Sequence, residues 1–372
     1  MIKILTIVSG LDGGGVENIL LNYYKNMDRD QVHIDFIVHS QHQGKLEKTF
    51  KEMGCQIYHV TPKTISLKKN IIDIYYIMKN NDYDIVHSRM NVKGVTHLIT
   101  AWVCGIKVRM IHNHLAYRPK TRMMSIISFV AQITCKLFAT HWLACSKDAA
   151  IEMFGKKAVN TNKVIILNNA IEANTFEFNP RKRKILRDEF NIHGKFVVGM
   201  VGRFHEQKNH EFMLKIFREI LNRNAKAVLM LVGDGELHNQ IYEKTSLLQL
   251  KNNVIFTGIR NDVPDILQGM DIFVLPTKYE GFGNVLIEAQ AAGLKTFTSL
   301  EGVPKATKVT ALIEYISLKK SAAYWAEKIL GYSSGYKRVS QKECIKAAGF
   351  DIEDNAFFLQ ELYINAVKKI SK

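Results

Sequence analysis

The sequence predicts an α/β protein made of two doubly wound parallel-sheet domains in series. Short apolar runs alternate with amphipathic helical stretches along most of the chain, which is typical of strands joined by helical crossovers. The pattern restarts in mid-chain at Phe196-Val197-Val198-Gly199-Met200-Val201, a second "first strand". At 372 residues the chain is long enough for two domains that each bury a core. Ligands of such sheets bind beyond the carboxyl ends of the strands, so we expect a cleft between the domains to hold the site.

Each predicted strand of the first half is a short run centred on Ile, Val or Leu. These runs span Ile2–Val8, 33–38, 57–60, 84–87, 108–111, 142–145 and 164–167. A Gly-rich turn after the first strand leads into a predicted helix over 17–27. In the second half, strands are predicted over 196–201, 227–232, 254–257 and 272–275, and helices over 211–223, 263–270 and 283–292. The last periodic stretch, 355–370, predicts a terminal helix.

The most polar segment in mid-chain predicts the domain boundary. It covers 179–190 and includes the basic run Arg181-Lys182-Arg183-Lys184, which is typical of a solvated helix face. We therefore expect an N-terminal domain over 1–178 and a C-terminal domain over 179–354. We expect a C-terminal helix over 355–372, which could cross back to the first domain.

The charge of the chain is strongly positive and unevenly spread. The net charge is +16. Between residues 101 and 150 the sequence contains seven basic residues and one acidic residue, Asp148. The same window contains an apolar stretch over 123–134. This pattern fits a peripheral contact with an anionic membrane, and it fits equally a core helix with a solvated basic edge. Nucleic acid would also attract such charge, but no nucleic-acid-binding motif is present, so no nucleic-acid partner is expected.

The cysteines and the apolar runs bear on the compartment. The five cysteines are scattered and odd in number, without a C-x-x-C pair, which favours a reducing compartment. No uncharged apolar run approaches the ~18 residues needed to span a bilayer. A cytoplasmic location is therefore expected, with a peripheral position at the inner face of the cell membrane as the membrane-bound alternative.

Three motifs follow predicted strands and carry residue types suited to a nucleotide sugar. In Ser9–Glu17 three glycines, Gly13, Gly14 and Gly15, allow close approach of a ligand to the backbone at a helix N-terminus. In the loop 202–209, Arg203 and Lys208 could neutralise a diphosphate leaving group. Each of these motifs also has a purely structural explanation, as a tight turn or as surface cations.

The third motif runs from Tyr279 to Glu288. Glu280 lies in a Gly-flanked loop, where a carboxylate can accept hydrogen bonds from sugar hydroxyls, and Glu288 lies about two turns into the next helix. Taken alone, Glu288 would be interpreted as a solvated surface residue.

The combination resembles the family-4 retaining glycosyltransferases of the GT-B class, almost from end to end. The resemblance rests on Glu280-x7-Glu288, on Arg203 with Lys208, on Gly14-Gly15-x-Glu17, and on a hinge-like segment, Asn169-Ala170-Ile171-Glu172 with Phe176. It is closest to the transferases of capsular and exopolysaccharide synthesis, which have counterparts of the run 203–210 and of His112-x-His114. The departures are Ala170 in place of Gly, Arg89 in place of a second His, and the segment 302–305.

The resemblance also implies roles, with an acceptor-binding N-terminal domain over 1–178 and a donor-binding C-terminal domain over 179–354. Glu280 would hold the donor sugar, Glu288 the ribose, Arg203 and Lys208 the diphosphate, and His114 the sugar near the reaction centre. The catalytic set is thus His114, Glu280, Arg203 and Lys208. The donor-binding set is Gly14, Gly15, Arg203, Lys208, Glu280, Gly281, Phe282, Gly283, Asn284 and Glu288.

The expected reaction is the retaining transfer of a hexose or N-acetylhexosamine from a nucleotide diphosphate sugar, with UDP favoured, to a lipid-linked glycan. No cofactor and no metal ion are expected, because the fixed cations offset the leaving charge. The D-x-D pairs Asp28/Asp30 and Asp82/Asp84 precede strands and are interpreted as turn residues. Three alternatives are an epimerase of nucleotide sugars with the same architecture, a basic nucleic-acid-binding protein and an inactive sugar-binding paralogue.

Overall fold

A computed structural model describes residues 1–13, 15–114 and 121–370 of the protein. The chain forms two compact units. Unit 1 contains residues 1–171 and the chain from Gly349 onward, and unit 2 contains Glu172–Ala348. Each unit has its own parallel sheet, so the prediction of two doubly wound parallel-sheet domains is confirmed.

Unit 1 is built around a seven-stranded sheet. Its strands are β1 (Ile2–Val8), β2 (Val32–Val38), β3 (Ile57–His59), β4 (Ile85–Ser88), β5 (Val108–Asn113), β6 (His141–Ala144) and β7 (Val164–Ile166). They lie in the order β3-β2-β1-β4-β5-β6-β7, and every neighbouring pair is parallel. The carboxyl ends of these strands therefore meet at one edge of the sheet, where the Gly-rich turn and His114 also lie.

The crossover helices of unit 1 begin at polar caps and bury one face against the sheet. They are α1 (Gly15–Lys25), α2 (Glu47–Glu52), α3 (Leu67–Asn80), α4 (Val95–Val103), α5 (Arg122–Phe138), α6 (Lys147–Phe154) and α7 (Lys156–Asn160). Ser66, Thr121 and Ser146 cap α3, α5 and α6 by accepting a hydrogen bond from a backbone N–H of the first turn. Among these helices α5 is unusual, because Ser128 and Cys135 are its buried residues while most of its apolar side chains face solvent.

Unit 2 is built around a six-stranded parallel sheet of order β10-β9-β8-β11-β12-β13. The strands are β8 (Phe196–Val201), β9 (Ala227–Val232), β10 (Val254–Phe256), β11 (Ile272–Leu275), β12 (Lys295–Ser299) and β13 (Ile313–Ile316). The helices are α8 (Ala173–Phe176), α9 (Pro180–Glu189), α10 (His210–Leu221), α11 (His238–Leu247), α12 (Val263–Gly269), α13 (Asn284–Ala291), α14 (Ala322–Leu330) and α15 (Lys342–Ala347). The sequence did not predict β12 and β13, because polar residues such as Lys295, Thr296, Thr298 and Glu314 interrupt their apolar pattern.

The terminal helix α16 (Ile352–Lys368) belongs to unit 1. Asp351 caps it, and its buried face packs on α1, β1 and β2. The segment that enters it pairs with the segment that leaves unit 1, since Ile171 N–H donates to Phe350 O at 2.9 Å and Ile352 N–H donates to Ile171 O at 3.1 Å. The chain therefore leaves unit 1 and returns to it at one place.

The expected domain bounds need correction. The first boundary lies after Ile171 rather than after residue 178, and the return lies at Gly349 rather than at 355. The polar segment 179–190 does not mark the boundary but forms the helix α9 of unit 2, which the Asn179 side chain caps. Arg187 of this helix donates to Asp271 Oδ2 at 2.6 Å, and Arg183 donates to the carbonyl of Met270 at 2.8 Å. Its basic residues thus join α9 to the core of unit 2.

Two further observations concern the compartment. The five cysteines form no disulfide; Cys55, Cys135 and Cys145 are buried, and Cys344 is exposed. None of the helices in the described ranges is long and apolar enough to cross a membrane.

Candidate functional site

The loop that follows β8 is held in place by the loop that follows β9. Phe204 is fully buried and stacks on His210, with ring centroids 4.2 Å apart. Phe204 N–H donates to Asp234 O at 3.0 Å, and Leu237 N–H donates to Phe204 O at 3.0 Å. A side chain at Gly235 would lie 2.6 Å from Phe204 O, so only glycine permits this close approach. The loop that carries Arg203 and Lys208 is therefore anchored on both sides of Phe204.

Arg203 points outward from this loop. Its side chain is 72% exposed, and its guanidinium lies 3.2 Å from the Glu236 carboxylate. His205 Nε2 lies 3.4 Å from the other oxygen of Glu236. An exposed pair of this kind contributes little to stability, so the guanidinium is free to exchange Glu236 for another anion.

Lys208 points inward and forms an ion pair with Glu280. The Nζ to Oε1 distance is 2.7 Å, and the side chains of Lys208 and Glu280 are only 17% and 7% exposed. Gly202 leaves room for the lysine stem, because a Cβ there would lie 3.2 Å from Lys208 Cε. The 3-10 helix Glu206–Lys208 ends at Asn209, which has a left-handed conformation with φ of 61°. Loop geometry thus directs the ammonium group toward the end of β11.

The loop after β11 holds Glu280 through backbone contacts. Glu280 N–H donates to Gly302 O at 2.7 Å. Gln207 Nε2 donates to Tyr279 O at 2.7 Å and lies 3.4 Å from Glu280 Oε2. A Cβ on Gly302 would lie 2.4 Å from Thr277 O, so this position requires glycine. Both oxygens of Glu280 therefore have a defined direction in the absence of any ligand.

Glu288 lies on α13 and is not the solvated surface residue that its helical position suggested. It is partly buried, and this burial raises the pKa of its carboxyl group to about 7, while Lys208 acts in the opposite direction. In the described part of the chain its carboxylate accepts no hydrogen bond. Because the attraction of Lys208 reaches Glu288, the three residues form one cluster, Lys208–Glu280–Glu288.

The residues between the two glutamates shape the start of α13. Gly283 has a left-handed conformation with φ of 89° and directly precedes Asn284, the first residue of the helix. Phe282 is buried, while Gly281 and Asn284 are half-buried. The first backbone N–H groups of α13 therefore lie beside the loop that holds Glu280, and a helix N-terminus favours an anion.

The predicted residues of unit 1 lie at the carboxyl edge of its sheet. Gly14 lies outside the described residues, and Gly15 is the exposed first residue of α1. His114 follows β5 and is buried, and its backbone N–H donates to Asn91 Oδ1 at 2.8 Å. Burial lowers the pKa of His114 well below the ordinary value, so its imidazole is neutral.

The structure thus brings together only part of the predicted set. Lys208, Glu280 and Glu288 share one cluster in unit 2, while Arg203 pairs separately with Glu236. Gly15 and His114 belong to unit 1. The sequence analysis missed three supporting residues, Gln207, Glu236 and Gly302. Gly302 was noticed only as part of the segment 302–305 that departs from the family, and the other two look like ordinary surface residues.

Both acidic pairs belong to unit 1, where they are turn residues before strands. Asp28 Oδ1 accepts from Asp30 N–H at 3.0 Å ahead of β2, and Asp84 Oδ2 accepts from Lys3 N–H at 2.9 Å at the start of β4. Across residues 1–13, 15–114 and 121–370, no group of three or more His, Cys, Asp or Glu side chains has an arrangement that could hold a metal ion.

Comparison with known proteins matches part of the chain to a known family. Residues 195–332 match the family described as glycosyl transferases group 1, and this range includes Arg203, Lys208, Glu280 and Glu288. EpsF of Bacillus subtilis, described as a glycosyltransferase, is 27% identical, and the match covers 99% of this chain and 97% of EpsF. An Escherichia coli enzyme named UDP-Gal:alpha-D-GlcNAc-diphosphoundecaprenol alpha-1,3-galactosyltransferase is 28% identical over 77% of this chain and 76% of its own.

A solved structure supports the same assignment at the level of the fold. Anabaena Alr3699/HepE, crystallised in complex with UDP, superposes with a TM-score of 0.73 at 18% identity, covering 100% of this chain and 98% of its own. The two parallel sheets, the match over 195–332 and the relatives agree with the sequence-based resemblance. The chain therefore has the two-domain GT-B fold, and its residues 195–332 match the glycosyl transferases group 1 family.

Proposed function

We propose that the protein transfers a hexose or N-acetylhexosamine, with retention of configuration, from a UDP-sugar to a lipid-linked glycan in the synthesis of a capsular or exopolysaccharide. The observation that carries this proposal is the Lys208–Glu280 ion pair of 2.7 Å after two neighbouring strands. It presents an ammonium group for a diphosphate beside a carboxylate for sugar hydroxyls. A nucleotide sugar needs both chemistries within a few ångströms of each other.

The cations of the site would bind the leaving diphosphate. Negative charge grows on the diphosphate as its bond to the sugar breaks, and cations already fixed near it stabilise that state most. Lys208 is fixed by the loop, and Arg203 can leave Glu236 to add a bidentate contact. The N–H groups at the start of α13 contribute to the same charge balance. With these groups present, transfer requires no metal ion.

The remaining residues would orient the two ends of the donor. Glu288, whose carboxylate accepts no hydrogen bond in the described structure, would accept from the ribose hydroxyls. Neutral His114 would contact the donor sugar, and Gly14 and Gly15 would leave space beside its phosphates. These roles follow the family resemblance.

The relatives support the choice of donor and acceptor. The Escherichia coli relative is named for a UDP-galactose donor and a diphosphoundecaprenol-linked acceptor, and HepE was crystallised with UDP. We extend these properties to this chain as part of the proposal.

The exposed face of α5 supports a peripheral membrane location at the cytoplasmic side. We define the α5 patch as its exposed apolar side chains, which are 41% to 74% exposed: Met123, Met124, Ile126, Ile127, Phe129, Val130, Ile133 and Leu137. Arg122 and Lys136 stand at the two ends of the helix, and Arg109 Nε donates to Phe138 O at 2.7 Å. An apolar face bordered by cations fits an anionic lipid surface, which would also carry a lipid-linked acceptor.

The donor is tested by titrating UDP, GDP, ADP and their sugar conjugates while the melting temperature is followed. We expect a rise of several degrees with UDP compounds alone, as a ligand that binds only the folded state produces. Turnover is then measured with the stabilising sugar nucleotide and a lipid-linked glycan, and proton NMR gives the anomeric configuration of the product. Release of an isomerised nucleotide sugar without transfer would instead support the epimerase alternative.

The membrane contact is tested with the pair of substitutions Ile126→Ser and Phe129→Ser. The double variant should bind vesicles that contain phosphatidylglycerol at least about tenfold more weakly than the unmodified protein. Ile185→Ser is the matched control, because Ile185 is 67% exposed on α9, outside the patch. Equal sedimentation of the double variant and the unmodified protein with the vesicles would contradict this part of the proposal.

A further inference from the structure

Arg89 is a buried cation that lacks an acidic partner. It directly follows β4, and the residue is only 5% exposed. In the described ranges it forms no ion pair, and its Nε is buried without a hydrogen-bond partner. Burying a charged group without a counter-charge is costly, and proteins retain such a group where an anion from outside completes the site. Arg89 is also a position where this chain departs from the family it resembles.

Three histidines line the same edge of the sheet. His87 in β4 and His112 in β5 stack with ring centroids 5.5 Å apart, and His112 stacks on His114 at 4.1 Å. His87 Nε2 and both ring nitrogens of His112 and His114 are buried without a partner in the described structure. Burial and the nearby Arg89 hold the pKa of each imidazole well below its ordinary value. The histidines are therefore neutral, and each offers one N–H donor.

The terminal helix contacts Arg89 through Tyr363. The Tyr363 hydroxyl of α16 interacts with Arg89 and lies 2.7 Å from His87 Nδ1. Because the guanidinium can only donate, Tyr363 accepts from it and donates to His87 Nδ1. His87 then carries its proton on Nε2, the nitrogen that lacks a partner. The imidazole N–H groups of the histidines are therefore available as donors near the buried Arg89.

We propose that Arg89, together with His87 and His112, binds a phosphoryl group of the acceptor substrate. The inference rests on the proposed function, in which the acceptor is a lipid-linked glycan and so carries a phosphoryl group beside its first sugar. A phosphoryl group is tetrahedral and has several acceptor oxygens, so the planar fork of a guanidinium can bind two of them while neutral N–H donors bind another. The donor diphosphate has its own cations, Lys208 and Arg203, in unit 2. Arg89 supplies the counterpart in unit 1.

The test follows the imidazole signals of the full-length protein, labelled with nitrogen-15 in histidine, as inorganic phosphate is added. We expect saturable shifts of the signals of His87, His112 and His114. In Arg89→Gln the apparent phosphate affinity at these signals should fall about tenfold or more, while Arg89→Lys should retain an intermediate affinity. Lys107→Gln, which removes an exposed cation of the same unit, should leave the titration unchanged. Absence of shifts at the three histidines, or an unchanged titration in Arg89→Gln, would overturn the proposal.

A second arm separates anion binding from support of α16. Tyr363→Phe removes the contact with Arg89 but leaves the cation in place, so it should lower the melting temperature and retain the phosphate-dependent shifts. If Arg89 only positions α16, Tyr363→Phe and the Arg89 variants lower the melting temperature alike and none changes phosphate affinity, which contradicts the proposal. Phosphate binding requires no turnover, so failure here leaves the proposed transferase activity untouched.

Turnover identifies the source of the anion. Arg89→Gln should raise KM about tenfold for a phosphate-linked glycan acceptor and leave KM unchanged for the same glycan as a neutral glycoside. If KM rises instead only for a phosphate-free glycoside that bears a uronic acid, the site binds a carboxylate, and the assignment to a phosphoryl group is wrong.

Discussion

Lys208 and Glu280, which lie 72 residues apart in the sequence, form an ion pair of 2.7 Å that is largely shielded from solvent. Neither side chain could remain buried without the other, because an isolated buried charge costs several kcal/mol. The pair therefore fixes a cation and a carboxylate side by side before any ligand arrives. A diphosphate that binds Lys208 competes with Glu280, which leaves that carboxylate available to sugar hydroxyls.

The ion pair of Arg203 and Glu236 leads to a prediction, because Glu236 and the donor diphosphate would compete for Arg203. Arg203→Ala removes a guanidinium that would bind the diphosphate, and we expect about a 10- to 100-fold loss of UDP affinity. Glu236→Ala removes only the carboxylate that lies 3.2 Å from Arg203, so UDP affinity should stay equal or increase. Isothermal titration calorimetry measures both values. Equal losses in the two variants would mean that the ion pair itself, rather than free Arg203, supports the site.

Glu288 provides a prediction about pH. Burial raises its pKa from 4.5 to about 7, so between these values the folded protein retains a proton that the unfolded chain has released. The stability that this proton contributes is therefore present at low pH and is lost as pH rises through 7. Glu288→Gln removes this titration and should melt higher than the unmodified protein at pH 8, by about 2 to 4 °C for each kcal/mol recovered. At pH 4 that advantage should vanish, which melting curves at both pH values will test.

The same substitution should weaken donor binding at pH 8. A carboxylate accepts both ribose hydroxyls, whereas an amide offers only one acceptor oxygen, so UDP affinity should fall about tenfold. If Glu288→Gln is more stable than the unmodified protein at pH 8 and binds UDP more weakly, Glu288 serves donor binding and lowers the stability of the folded protein. Undiminished UDP affinity would remove Glu288 from the donor site.

The sequence predicted the strands better than the tertiary setting of the residues between them. Phe196–Val201 and Ile272–Leu275 were predicted with their observed bounds, because continuous apolar runs mark buried parallel strands. Lys208 and Glu280 were recognised from residue type and from their place after strands. Their ion pair was not, because it depends on how two loops far apart in sequence meet. Glu288 was misjudged for the same reason, since helical position alone does not reveal which face is covered.

Two local features could not be interpreted without the packing. The basic run in α9 was interpreted as a solvated helix face, but Arg183 and Arg187 donate to carbonyls and to Asp271 inside unit 2. The apolar stretch of α5 fitted a core helix or a surface helix equally well in the sequence. In the structure its apolar side chains are exposed, because Ser128 and Cys135 are the residues it buries.

Gly302 provides a prediction about the loop that holds Glu280. Gly302→Ala introduces a Cβ 2.4 Å from Thr277 O, so the loop must shift, at a cost of about 1–3 kcal/mol. The Glu280 N–H bond to Gly302 O moves with it, and kcat/KM should fall roughly 10- to 100-fold. UDP affinity should change little, because Lys208 lies on another loop. Steady-state kinetics and calorimetry distinguish the two effects, and an unchanged kcat/KM would contradict the assigned role of this loop.

The most direct test of the central claim is a calorimetric comparison of UDP and the active UDP-sugar on three variants. Lys208→Ala should weaken the binding of both ligands about tenfold or more, since it removes a charge-assisted contact with the diphosphate. Glu280→Ala should retain UDP affinity but lose the additional affinity that the sugar provides. Lys278→Ala, which breaks an exposed 2.7 Å pair with Glu206, should match the unmodified protein. If Lys208→Ala binds UDP as tightly as the unmodified protein does, the Lys208–Glu280 pair is not the donor site.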